Sequence, residues 1–156
     1  MKEKRVFRYN NQVAGMAGAK GLCHTGEDVL ERSYFGEVSM EKLNVAIADD
    51  NERIVEMLNA LIRTENDMEI VGTAGNGEDA VEMIKKSAPD VVLLDLIMPK
   101  MDGLGVLEKL KNDTSLKKMP AVIVLSAIGQ EAVTEDAFAL GANYYIMKPF
   151  NNEMLL

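Results

Sequence analysis

Four short apolar runs punctuate the last three-quarters or so of the chain, and a charged or hydroxyl residue follows each one. Leu43-Asn-Val-Ala-Ile-Ala48 leads to Asp49-Asp50, and Val91-Val-Leu-Leu94 leads to Asp95. Ala121-Val-Ile-Val-Leu125 leads to Ser126, and Tyr144-Tyr-Ile-Met147 to Lys148-Pro149. Short continuous apolar runs suit strands covered on both faces. The segments between them have helical period. Ile54, Val55, Leu58, Leu61 and Ile62 mark one helix face, and Ala80, Val81 and Ile84 mark another within a helix predicted over Glu78–Ser87. A short strand is predicted near Glu69–Gly72. A helix from about Gly103 points Leu104, Leu107 and Leu110 inward, and a further one runs from about Gln130 to Leu140, closed by Gly141.

Strand and helix patterns thus alternate from residue 43 onward, which predicts an α/β fold around a parallel sheet. A fifth helix is predicted to begin near Phe150, with only Asn151–Leu156 left to form it. So short a helix is unstable alone. The expectation is a fragment, or a chain that recruits a partner to the surface left bare. Residues 1–39 carry scattered Gly and no sustained period, so they are expected to form a poorly ordered extension before a domain at 40–156.

Composition narrows the function classes. Aromatics make up 5% of the chain and Trp is absent, so the core is aliphatic and Met-rich. Residues 40–156 hold 11 basic against 20 acidic side chains, without a basic stripe, which argues against direct DNA binding. No apolar stretch approaches the ~20 residues of a membrane span, and no signal-peptide core follows the basic start. Cys23 is the only cysteine, which rules out an intrachain disulfide and fits a cytoplasmic protein. Cys23-His24 offers too few ligands for a structural zinc.

The chemistry sits at the strand ends. In an open parallel sheet, ligands bind at the C-terminal strand edge. Asp49, Asp50 and Asp95 converging there repel one another unless they are protonated or share a cation, and oxygen-only ligands suit Mg²⁺. The plainer alternative is that Asp49, Asp50 or Asn51 caps the next helix, but a cap needs only one of them. Asp95 has no evident structural need for charge after four apolar residues. Ser126 and Lys148 complete a set able to transfer a phosphoryl group. The Met98, Met101 and Met119 group suits packing better than ligation.

These residues resemble the receiver domain of bacterial two-component response regulators. The resemblance rests on Val45-Ala-Ile-Ala-Asp-Asp-Asn51, Asp90-Val-Val-Leu-Leu-Asp-Leu-Ile-Met-Pro-Lys-Met-Asp-Gly103, Leu125-Ser-Ala127 and Lys148-Pro-Phe150. Within that family the chain is most similar to receivers of the sporulation master regulator type, through Gly72–Gly77, Leu96–Pro99 and Ala127–Thr134. The resemblance implies a flavodoxin-like (βα)5 open parallel sheet of order 2-1-3-4-5, here with its fifth helix truncated. It implies that Asp95 accepts a phosphoryl group from a phosphohistidine donor, a phosphotransferase or sensor kinase. Asp50, Asp95 and the Ile97 backbone carbonyl would hold Mg²⁺ (or Mn²⁺) directly, and Asp49 through water. Lys148 would pair with Asp95 and then with the phosphoryl group. Ser126 would donate a hydrogen bond to that group, and Tyr145 would change rotamer as Ser126 moves. The Lys148–Pro149 bond would be cis. Ile97 and Ile128 stand where many relatives place polar residues, which implies slow dephosphorylation. Homodimerisation would use the face of the fourth helix and fifth strand.

Other functions on the same fold fit less well. An FMN phosphate would be repelled by Asp49-Asp50. Gly72-x-x-Gly75-x-Gly77 lacks the dinucleotide spacing and follows the wrong strand. A Mg²⁺-dependent phosphatase with an Asp nucleophile would normally carry a second Asp at the position of Ile97. A receiver remnant that only binds partners is opposed by the intact acids and lysine and favoured by the shortened fifth helix. The expected protein is no enzyme toward other molecules and catalyses only its own phosphorylation and slow dephosphorylation.

Overall fold

The structure is a computed structural model that describes residues 41–150, so the expectations for residues 1–39 and for a shortened fifth helix fall outside it. Strands are β1 (Leu43–Ala48), β2 (Met68–Ala74), β3 (Val91–Asp95), β4 (Ala121–Ser126) and β5 (Tyr144–Met147). Helices are α1 (Glu52–Ile62), α2 (Gly77–Ser87), α3 (Gly103–Asn112) and α4 (Glu131–Ala139). The five strands form one parallel sheet in the order β2-β1-β3-β4-β5. This is the flavodoxin-like order the family resemblance implied. β2 is longer than expected at both ends, and Asp95 is the last residue of β3 rather than the first beyond it.

Alternate residues of each central strand point to opposite faces. Ala46, Ala48, Val92, Leu94, Val122 and Val124 pack with α2, α3 and α4 through Ala80, Ile84, Val106, Leu107, Leu110 and Ala137. Val45, Ile47, Val91, Leu93, Ile123 and Leu125 pack with Leu58 and Ile62 of α1, while Ile146 and Phe150 flank that cluster. Burial on both faces is why the middle of each of these strands is an unbroken apolar run. Each fully buried Val, Leu or Ile contributes about 1.5–3 kcal/mol. In α3 the expectation needs correcting: Val106 is fully buried with Leu107 and Leu110, whereas Leu104 is only half-buried. The helix lies against both the sheet and α2, which rotates its buried stripe.

Caps fix where the helices start. Asn51 accepts from the Arg53 amide at 3.1 Å to cap α1, Asn76 accepts from Asp79 at 3.0 Å to cap α2, and Asp102 accepts from Gly105 at 2.8 Å to cap α3. α4 ends at Ala139 with Leu140 as its C-cap, and the next residue, Gly141, has a φ of +110° in the region glycine tolerates. The Lys148–Pro149 peptide is cis. Among the described residues, no helix is long and apolar enough to cross a membrane.

Candidate functional site

Strand order reverses between β1 and β3, since β2 lies outside β1 while β4 and β5 lie outside β3. At such a switch point the loops diverge and leave a crevice at the C-terminal strand edge. β1 delivers Asp49 and Asp50 to it and β3 delivers Asp95. One oxygen from each carboxylate lies within 4.8 Å of the others. Asp49 and Asp95 are buried, at 3% and 6% exposure, while Asp50 is open to solvent. The capping alternative is settled by Asn51, which caps α1 itself. Asp49 accepts the Asn51 amide at 2.9 Å, a turn that starts the loop rather than the helix.

β5 brings Lys148 alongside, and its amide donates to the Ser126 carbonyl at 2.9 Å. The Lys148 ammonium donates to Asp95 Oδ2 at 2.9 Å, as the family resemblance implied, and also to Asp49 Oδ2 at 2.7 Å. The second contact had no signal in the sequence, because it joins residues 99 positions apart. Burial pulls the Lys148 pKa down, but the hydrogen bonds to Asp49 and Asp95 prevail and hold it above its ordinary value. Burial pushes the Asp95 carboxyl up, against the opposing hydrogen bonds from Lys148 and the Ile97 amide. An isolated ion pair would move its acid down. Here both partners move up, because Asp95 is buried and shares its one ammonium with Asp49.

Ser126 is fully buried, and its hydroxyl accepts the Ile128 amide at 3.2 Å. The Tyr145 hydroxyl donates to the Ile128 carbonyl. Ser126 and Tyr145 are therefore linked through the Ile128 backbone, one holding its N–H and the other its C=O. A sequence pattern carries no trace of this link, since any residue at 128 offers the same groups. Ile97 is 52% exposed at the mouth of the crevice, and its amide donates to Asp95 Oδ1 at 3.2 Å. Ile128 is half-buried on the opposite loop.

Gly103 sets how closely α3 approaches the end of β3. A Cβ there would lie 2.4 Å from the Asp95 carbonyl oxygen and 2.8 Å from the Leu96 Cα. Both are backbone atoms and cannot swing aside. Gly103→Ala is expected to cost about 1–3 kcal/mol of stability by overpacking. Urea unfolding of the two proteins checks it, with an unchanged midpoint counting against this account.

The chain matches the response regulator receiver domain family over residues 45–156 and belongs to that family. A receiver domain of the putative response regulator NarL from Mycobacterium tuberculosis is 31% identical with a TM-score of 0.67, over 74% of this chain and 91% of that one. CheY in a complex of CheX, CheY, BeF3 and Mg²⁺ from Borrelia burgdorferi is 35% identical with a TM-score of 0.66, over 74% and 84%. A DNA-binding response regulator of the LuxR family from Staphylococcus aureus is 30% identical with a TM-score of 0.66, over 72% and 92%. The protein is thus a receiver domain of the two-component class.

Proposed function

We propose that this receiver accepts a phosphoryl group on Asp95 from a phosphohistidine donor protein and thereby switches a regulatory output. The observation that carries the reading is the convergence of Asp49, Asp50 and Asp95 at the β1/β3 crevice with Lys148 bridging two of them. Three ionised carboxylates against one ammonium leave two negative charges uncompensated, which fits one divalent cation. Asp49, Asp50, Asp95 and the Ile97 carbonyl would hold Mg²⁺ or Mn²⁺, an all-oxygen set suited to such ions. When bound, the cation offsets the negative charge of the carboxylates and of the phosphoryl group. The Borrelia CheY complex contains Mg²⁺ and BeF3, which supports the same use of this site.

A carboxylate oxygen of Asp95 forms a bond to phosphorus as the phosphorus–nitrogen bond of the donor breaks; the electron pair stays on that ring nitrogen, and the donor ring, protonated on its other nitrogen, leaves as neutral imidazole. The Lys148 ammonium then exchanges its carboxylate contact for the incoming phosphoryl oxygens. Ser126 has a hydroxyl proton to offer that group. Turning it there releases the Ile128 amide, and with it the loop that Tyr145 grips. The switch would thus pass from Asp95 to the start of α4. Its catalysis would be confined to its own phosphorylation and slow dephosphorylation.

Sporulation-type transcription control is the output we favour, on the stretches Gly72–Gly77, Leu96–Pro99 and Ala127–Thr134. The Staphylococcus relative is a DNA-binding regulator. Phe138, Tyr144 and Met147 are 47%, 44% and 48% exposed, which supports pairing of two copies through α4 and β5. The lone cysteine supports a cytoplasmic setting.

Intact mass after incubation with a small phosphoryl donor tests the reading. One added phosphoryl group, dependent on Mg²⁺, is the expected result. A folded protein that gains none is instead a partner-binding module. Ile97 and Ile128 carry a separate prediction about lifetime, because both present apolar groups where water must approach the acyl phosphate. Ile97→Asn with Ile128→Glu is expected to speed loss of the phosphoryl group about tenfold, or ~1.4 kcal/mol of barrier. The decay of phosphorylated protein over time measures it.

A further inference from the structure

A second concavity lies at the other end of the strands from Asp95. It opens between the segment joining α2 to β3 and the segment joining α3 to β4, with a volume of about 230 Å³. Ile84, Ala88, Pro89, Leu116 and Pro120 give it apolar walls, and Lys85, Lys86, Lys117 and Lys118 rim it. No acidic residue lines it. In a domain where acids outnumber bases 20 to 11, four of those bases therefore surround one small cleft.

Helix polarity explains part of this arrangement. Lys85 and Lys86 stand in the last turn of α2, where cations favour the exposed carbonyls. Lys117 and Lys118 belong to no helix, and that argument does not reach them.

The four lysines divide into two kinds. Lys85 crosses from α2 to Asp113 at the end of α3, and Lys118 crosses back to Asp90 before β3 at 3.3 Å. These ion pairs join the two walls of the cleft in opposite directions. Hydrogen bonds from Lys85 and Ser115 hold Asp113 well below the usual carboxylate range, at about 2, so this brace persists in mild acid. Asp90 also accepts the Asn44 amide at 3.0 Å, which anchors it to β1. Lys86 and Lys117 remain, one on each wall. Both are exposed and neither has an ion pair among the described residues.

We propose that this braced cleft binds a small organic phosphate, its body against Ile84, Pro89, Leu116 and Pro120 and its dianionic head between Lys86 and Lys117. Two ammonium groups from opposite walls match the double charge of a phosphomonoester. The apolar floor calls for a carbon body rather than a bare ion. An apolar cavity of ~150 Å³ admits benzene, so the larger volume here takes a single ring. The site is separate from the Asp95 crevice and does not depend on phosphoryl transfer there.

Phenyl phosphate is the probe, titrated into the ¹⁵N-labelled full chain in EDTA and followed by amide shifts. Saturable shifts at Ala88, Leu116, Lys117 and Lys118 are expected. Inorganic phosphate should produce them only at much higher concentration, since it lacks the ring. Lys86→Gln with Lys117→Gln should weaken binding about tenfold or more, through loss of two charge-assisted contacts. Both lysines are solvent-exposed and both braces stay in place, so the variant folds, as unchanged amide shifts elsewhere will show. Three results overturn the proposal: no saturable shift, equal shifts with inorganic phosphate, or undiminished affinity in the double variant.

Discussion

Asp95→Asn is expected to abolish phosphoryl acceptance outright while leaving the fold as stable or more so in the absence of divalent cations. The first half follows from chemistry, since an amide is no nucleophile toward phosphorus and keeps the shape of the carboxylate. The second half follows from the electrostatics of the crevice. Asp95 is buried, shares Lys148 with Asp49, and has its pKa pushed up by burial. An acid whose pKa is raised on folding binds its proton more tightly in the native state. Its ionisation therefore costs stability once the pH climbs above the unfolded value of about 4, and the full cost is reached above the folded pKa. Removing the charge removes that cost. In EDTA at neutral pH the melting temperature should hold or rise by about 2–4 °C for ~1 kcal/mol. Added Mg²⁺ should raise the wild type and do less for the variant. A variant that is phosphorylated as fast as wild type would place the acceptor elsewhere. One that melts well below wild type in EDTA would contradict the charge argument.

Lys148→Ala should have the opposite effect on stability. Among the described residues, the lysine is the one cation paired with Asp49 and Asp95, whose side chains are only 2% and 7% exposed. Deleting it leaves two buried carboxylates facing each other. Breaking a buried pair by removing one partner costs about 3–5 kcal/mol. The solvent-open Asp50 side of the crevice argues for the lower part of that range. The pH dependence has a definite sign. Without Lys148, Asp95 loses the hydrogen bond that opposed its upward shift, so its folded pKa rises further above the unfolded one. The variant should then be least stable at high pH and recover relative to wild type as the pH falls toward the Asp95 folded value. Mg²⁺ should also rescue it, raising its melting temperature more than it raises the wild type. Thermal melts across pH, with EDTA and with Mg²⁺, check all three expectations. Equal stability of the two proteins in EDTA would mean that the carboxylates repel less than their spacing suggests.

The physical division between what was legible in the chain and what was not is clear at particular residues. Val91–Leu94 announces a strand covered on both faces because nothing but burial explains four apolar residues in a row. Asp95 stands out for the same reason, as a charge with no local use. Helix existence followed from the spacing of Leu58 and Ile62 or Ala80 and Ile84, which is a local property of a 3.6-residue repeat. The rotation of α3 that buries Val106 and leaves Leu104 half-covered was beyond reach, since it depends on packing against α2 and the sheet together.

At the site, sequence alone determined which side chains reach the strand ends, because a strand terminus is encoded within a few neighbouring residues. Only tertiary structure decided how they share one another. Lys148 serves Asp49 as well as Asp95, and Ser126 and Tyr145 meet through the backbone of Ile128 rather than directly. The two lysine braces across the lower cleft belong to the same class. Such contacts join residues far apart in the chain, often through backbone groups common to every amino acid. They come into being when strand order brings separate ends together, and no local pattern of hydrophobic and polar residues encodes them.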